Sequence, residues 1–178
     1  MKHSTLKILL PLLTVLLLGG CTGYPKTVAP VDGFELDRYL GKWYEIARLD
    51  HSFERGLSNV TAEYQLREDG GVAVINRGYL AEEEEWKQAE GRAYFVDDTD
   101  KAHLKVSFFG PFYGSYVVFE LDEENYQYAF VSGPDTDYLW LLARSPLLDD
   151  GLIEHFRQTA SRRGFDADSL IIVEHDRQ

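Results

Sequence analysis

Few side chains in this sequence have the type and spacing for covalent or acid–base chemistry. Downstream of residue 21 the histidines are His51, His103, His155 and His175, which fall on an expected loop, strand, helix and last strand. No metal-ligand spacing links them. Ser107 and His103 share an outward strand face, but neither belongs to a nucleophile elbow. Isomerase or peroxide chemistry would need a cavity cysteine or a haem ligand, and neither stands in an evident place. Glu82 to Glu85 lack a partnering histidine and read as a solvated hairpin tip. The expectation is a protein without catalytic residues, bound metal or cofactor.

The single cysteine is placed for a different reaction. Lys2 and Lys7 form a basic start, and Ile8 to Leu18 is an apolar run too short for an ordinary transmembrane helix. Leu18-Gly19-Gly20-Cys21 then resembles the bacterial lipobox, in which the cysteine takes a diacylglyceryl group and becomes the new N-terminus. Residues 1–20 are read as a lipoprotein signal peptide and Cys21 as the lipidation site. Thr22 follows in place of aspartate, which in lipoproteins of this type implies sorting to the outer membrane, with the domain facing the periplasm. With Cys21 acylated no thiol remains, so the fold must stand without disulfides.

Charge narrows the partners. The chain holds 18 Lys and Arg against 30 Asp and Glu, a net charge of −12, and loss of Lys2 and Lys7 makes the mature chain more acidic still. Nucleic acid is excluded as a partner. Anionic lipid surfaces exert no pull on such a chain, so membrane attachment must come from buried acyl chains, at about 0.8 kcal/mol per methylene.

The noncovalent chemistry centres on an indole and a guanidinium. Leu36, Tyr39 and Leu40 have the spacing of one helical turn, and Gly41 is the residue type that ends such a turn at positive φ. A strand begins at once, with Trp43, Glu45, Ala47 and Leu49 on one face and Tyr44, Ile46 and Arg48 on the other. Arg144 ends a later strand with the parity of Trp140 and Leu142, so it points inward. A buried arginine needs a carboxylate, or an aromatic face and carbonyls. If the first and last strands are neighbours, Arg144 can lie across Trp43 and close one end of the sheet.

The elements that must position these residues follow one another with short turns. Residues 21–33 carry Pro25 and Pro30 with no apolar period and read as a lipidated tether, leaving 34–178 as one domain. After a loop at His51 to Leu57, strands are expected at Val60–Leu66, Val72–Tyr79, Trp86–Val96, Ala102–Phe109, Tyr116–Leu121, Tyr126–Val131 and Tyr138–Arg144. With the first strand this makes an all-β, eight-stranded antiparallel up-and-down barrel, since closure removes exposed edges. Asp149 or Asp150 caps one α-helix, whose stripe of Leu152, Phe156 and Ala160 packs outside the barrel, and Gly164 stops it. Leu170 to Glu174 gives a short final strand.

A barrel of this size holds either packed side chains or one small ligand. The inward set expected here is Ala62, Tyr64, Val74, Asn76, Ala93, Leu104, Val106, Phe108, Tyr116, Val118, Val131, Trp140 and Leu142. The small residues leave volume and the aromatic ones line it, which favours a ligand cavity. A filled barrel serving as a scaffold or partner-binding lipoprotein is the alternative. Phe109 to Tyr116 (FGPFYGSY) is unusually aromatic for a connection, and reads either as an interface, including one that pairs two barrels as a homodimer, or as a loop folded over the barrel end.

Taken together, LGKWYEIARLDHSFERGL, VTAEYQL, EGRAYF, LKVSFFGPFYGSYVVFELD, ENYQYAFVSGP and DYLWLLARSP resemble the lipocalin family, and within it the bacterial outer-membrane members. Gly41, Trp43 and Arg144 match the family's glycine-x-tryptophan and late-arginine motifs. Thr136-Asp137-Tyr138 spells the middle motif but lies too near Arg144. By order the motif is Leu121-Asp122-Glu123, so only the aspartate, Asp122, is kept. The resemblance implies binding, not catalysis: a cup for fatty acids or lysophospholipids, held at the outer membrane by N-terminal acyl chains and serving membrane maintenance.

Overall fold

The computed structural model describes residues 22–177, so the expected signal peptide and Cys21 lie outside the described residues. A single turn of helix, α1 (Leu36–Tyr39), leads into the first strand. Leu40 N–H donates to the Leu36 carbonyl at 3.0 Å, and Gly41 then takes φ 90°. The strands are β1 (Gly41–Arg48), β2 (Leu57–Leu66), β3 (Val72–Leu80), β4 (Glu85–Phe95), β5 (His103–Ser107), β6 (Gly114–Leu121), β7 (Tyr128–Ser132) and β8 (Leu139–Ala143). Each pairs antiparallel with the next, and β1 bonds β2 on one edge and β8 on the other. The expected eight-stranded barrel is therefore closed.

Two cores hold it. One fills the sealed end inside the barrel around Trp43, Tyr39, Phe34, Val118 and Leu121. The other lies outside, under α2 (Asp150–Arg163). Asp149 caps that helix, its Oδ1 accepting from Gly151 N–H at 2.7 Å, and Gly164 ends it at φ 85°. Phe156 packs edge-on to Phe130 at 4.8 Å between centroids, and Ala160 is fully buried. A 3₁₀ turn (Ala167–Ser169) then leads to β9 (Ile171–Ile172), which bonds β1 outside the barrel and is shorter than the sequence suggested.

The first strand departs from simple alternation. Glu45 pairs with Leu142 but Ala47 pairs with Leu141, so Ile46 is an extra residue, a β-bulge. The bulge reverses parity. Ala47 and Leu49 join the outer core and Arg48 swings to the Glu45 side, against the faces expected from the sequence.

The N-terminal segment expected as a free tether instead lies along the barrel wall. Val31 N–H donates to the Val118 carbonyl at 2.9 Å, Val28 is buried, and Arg163 donates from Nη1 to the Thr27 carbonyl at 2.6 Å. This strap also covers His103, placed by its strand parity on the outward face. His103 is buried, with Nε2 3.0 Å from both the Thr22 carbonyl and Ser115 Oγ, and Tyr24 stands edge-on to its ring. Tyr126, expected in β7, precedes it at φ 55°, its N–H donating to the Asp122 carbonyl at 2.7 Å.

Candidate ligand-binding cavity

Alternation on each strand sends every second side chain inward, and the barrel ends differ in what they meet there. At the sealed end the Arg144 guanidinium lies 4.0 Å from the centroid of the Trp43 ring. Its Nη1 donates to the Lys42 carbonyl at 2.8 Å, and its Nη2 donates to those of Arg38 and Leu40 at 2.8 and 2.9 Å. With its Nε donating to the Tyr126 carbonyl at 3.4 Å, the ion thus has an aromatic face and four carbonyls without any carboxylate. Asp122 fixes the adjoining turn, its two oxygens accepting from Asn125 and Gln127 N–H.

Above this plug is a hollow of about 100 Å³ that opens into an outer groove of about 340 Å³. Phe53, Glu54, Val60, Asn76, Val106 and Phe108 line both, so the two spaces meet at the mouth. Together they fall in the range of ligand pockets, about 300–1,000 Å³. The structure brings Ala62, Tyr64, Val74, Asn76, Ala93, Leu104, Val106, Phe108, Tyr116, Val131, Trp140 and Leu142 around the inner hollow. Val118 is absent from that lining: it is fully buried in the sealed-end core, where the strap covers its strand.

Polar groups in the wall are few and mostly satisfied. Tyr116 Oη lies 2.7 Å from Tyr39 Oη and 2.8 Å from Tyr64 Oη, a hydroxyl triad at the floor. Burial pushes all three phenols well above their ordinary range. Asn76 Oδ1, on a residue lining both spaces, and Ser107 Oγ, on a residue lining the outer groove, are buried without a partner among the described residues. Tyr113, in the Phe109–Tyr116 connection, is not in the lining; its hydroxyl accepts from Arg92 Nε at 3.0 Å.

The sequence reading missed a buried ionic cluster in one wall. Arg48 Nη1 donates to Glu45 Oε1 at 2.6 Å, and Arg48 Nη2 donates to the Glu54 and Leu57 carbonyls, each at 3.0 Å. Trp140 Nε1 donates to Glu54 Oε2 at 3.1 Å, and His51 Nε2 lies 3.1 Å from the same oxygen. Burial, then the neighbouring Glu54 charge, pushes the Glu45 carboxyl well above the usual carboxylate range. Burial also opposes ionisation of Glu54, but His51 and Trp140 outweigh it and hold that carboxyl below its ordinary value. Burial thus favours the proton on Glu45, and His51 and Trp140 favour the charge on Glu54. Glu45 was visible in the sequence through its parity with Trp43; Glu54 comes from a loop with no period to read.

The lining of the inner hollow includes no lysine or arginine, whereas Arg77 and Lys87 flank the outer groove. At the rim Lys87 is already paired with Glu83 and Glu85, and the Arg77 guanidinium lies 3.8 Å from the centroid of the Trp86 ring. Among the described residues no group of three or more His, Cys, Asp or Glu is placed to hold a metal ion.

Known proteins give the same picture. A lipocalin-like domain model matches residues 34–175. The chain is 63% identical over 163 residues to the outer membrane lipoprotein Blc of Vibrio cholerae, covering 92% of this chain and 95% of that protein. It is 53% identical over 150 residues to the protein of that name from Escherichia coli, with 84% of each covered. Bovine apolipoprotein D is 33% identical over 151 residues, covering 80% of this chain and 78% of its own. Among solved structures, insecticyanin from the tobacco hornworm superposes with a TM-score of 0.67 at 23% identity, covering 85% of this chain and 86% of its own.

Proposed function

This chain belongs to the lipocalin family, and on that premise we propose that it is an outer-membrane-anchored carrier of single-chain lipids, fatty acids or lysophospholipids. The observation that carries the reading is the contrast between the barrel's two ends. Trp43 and Arg144 seal one, while the other opens through an apolar hollow into a groove flanked by Arg77 and Lys87. A lipid tail inserts between Phe108, Tyr116 and Trp140. Its carboxylate or phosphate stays at the rim, and a hydroxyl or ammonium donor pairs with Asn76 Oδ1.

The names of the relatives from Vibrio cholerae and Escherichia coli support the location. Residues 1–20 act as the export signal, and Cys21, acylated after their removal, holds residues 34–178 at the periplasmic face of the outer membrane. There the protein stores or shuttles lipids released during membrane turnover, which is binding without catalysis. The rival, a scaffold with a filled barrel, requires interior side chains that occupy the hollow, and Ala62, Val74 and Ala93 are too small to do so. Titration with a lysophospholipid is expected to change the emission of Trp140, which lines the cavity. Emission that stays flat to saturating lipid contradicts the carrier reading.

A further inference from the structure

Large apolar side chains are exposed at the open end of the barrel. The turn between β5 and β6 presents Phe109 and Phe112, 81% and 71% exposed, and the loop after β1 presents Phe53 at 57%. All three also line the outer groove, so they flank the entrance to the cavity. Side chains this apolar, grouped at one rim, mark a surface that meets another apolar phase.

The course of the N-terminal strap says which phase. Described structure begins at Thr22, whose carbonyl is held by His103 and sits 3.4 Å from Ser115 Oγ. Ser115 is the second residue of β6 and follows Phe112 by three positions. At about 3.4 Å per extended residue, Ser115 lies within about 10 Å of Phe112 along the backbone, and Thr22 is one side-chain contact from Ser115. Cys21 directly precedes Thr22 in the sequence. A strap running the other way along the barrel would have put the anchor at the sealed end. Instead Thr22 lies on the stretch of wall that leads to the Phe109–Phe112 turn.

We infer that the barrel sits mouth-down on the membrane that holds its own acyl anchor, with Phe109 and Phe112 inserted at the lipid surface beside the cavity entrance. The inference rests on the acylation of Cys21 proposed above. The anchor makes docking intramolecular, so two phenylalanines suffice where they would bind a free bilayer only weakly. Attraction is apolar in origin: Glu82 to Glu85 on the neighbouring β3–β4 tip give anionic lipid no advantage. Cargo then passes between bilayer and cavity without an aqueous crossing.

The test uses the full acylated protein reconstituted into zwitterionic phosphatidylcholine vesicles. One variant, Phe112→Cys, carries an environment-sensitive fluorophore at the mouth. A second, Leu147→Cys, carries it at an exposed position just past Arg144, on the sealed side. Vesicle flotation reads the anchor, and quenching by phospholipids with a nitroxide in the acyl chain reads depth. The expected result is flotation of both, with blue-shifted, nitroxide-quenched emission at position 112 and water-like, unquenched emission at position 147. The double variant F109S/F112S should float equally well but take up vesicle lipid at least about tenfold more slowly. A protein that floats with a water-exposed probe at position 112 overturns the docking alone. So does a blue-shifted probe that escapes the nitroxide in a cross-linkable dimer, which would make the turn a self-interface. A protein that does not float overturns the anchor, and the docking with it.

Discussion

Arg144 lies over Trp43, 4.0 Å from ring centroid to guanidinium carbon, and ties β8 to the chain entering β1 through three backbone carbonyls. The pair holds the last strand against the first at the sealed end. Arg144→Ala removes the ring contact and leaves the Arg38, Leu40 and Lys42 carbonyls to find water. A loss of about 3 kcal/mol is expected from the charge-assisted hydrogen bonds and the cation–π contact together. Arg144→Lys should recover less than half of this, because one ammonium cannot reach all three carbonyls from above the ring. Urea denaturation of both variants measures the difference. Equal stability of wild type and R144A would contradict the role given to the pair.

Gly41 shows that backbone conformation, not space, restricts a position. Its φ is 90°, and an added Cβ would meet only Arg144 Nη1, at an ordinary 3.5 Å. Gly41→Ala should therefore cost roughly 1 kcal/mol through backbone strain, with Gly41→Asn milder and Gly41→Val worse. The same denaturation series ranks them, and a ranking by side-chain volume alone would refute the strain argument.

The Glu45–Glu54 pair gives two opposite pH slopes. Both carboxyls titrate near about 4.3 in the unfolded chain. Above that pH the unfolded state has lost the Glu45 proton that the folded state keeps, so Glu45 costs stability as pH rises toward its raised folded value. Glu54 does the reverse: its contribution is present above the unfolded value and is lost as pH falls through its lowered folded value. Relative to wild type, Glu45→Gln should become progressively more stable as pH rises from about 4 to about 7, whereas Glu54→Gln should lose ground only as pH rises toward about 4–5 and run parallel to wild type above that. Chemical denaturation from about pH 2 to about pH 7 checks both signs, and parallel curves for all three proteins throughout would remove the assignment of proton and charge.

Asn76 separates a ligand contact from a structural one. A buried acceptor without a partner costs about 1–3 kcal/mol, so Asn76→Leu is expected to stabilise the empty protein. The same change should weaken binding of lysophospholipids whose headgroup carries a donor, with little effect on a plain fatty acid. Thermal unfolding and fluorescence titration in parallel read the two effects. A variant that is both less stable and equally selective would assign Asn76 to the fold.

Much of this architecture is written locally. Gly41, Trp43 and Arg144 could be placed from residue type and parity because each sits at a strand end, where one turn or one alternation decides its direction. The inward set on β2 to β8 followed from period two for the same reason. The bulge at Ile46 could not be read, because one extra residue leaves the composition of β1 unchanged while turning Ala47 and Leu49 outward and Arg48 toward Glu45. The strap from Thr22 to Asp32 has no period, since it follows the barrel wall through backbone hydrogen bonds and single contacts such as Val28. His103 is buried where that strap covers it, and Val118 is packed into the sealed-end core inside the barrel. Glu54 reaches the cavity wall from an irregular loop, where no spacing marks the inward side.

The central claim, that the hollow holds a lipid tail, is tested most directly by extracting lipid from the protein purified from its own membrane and identifying it by mass spectrometry. Ala93, in the wall between Val72 and Val106, supplies the control: Ala93→Phe fills the hollow from within. The expected result is a single-chain lipid present in near-stoichiometric amount in the wild type and at least about tenfold depleted in the folded variant. Wild-type protein that comes away empty, or a variant that carries the same lipid in the same amount, would contradict it.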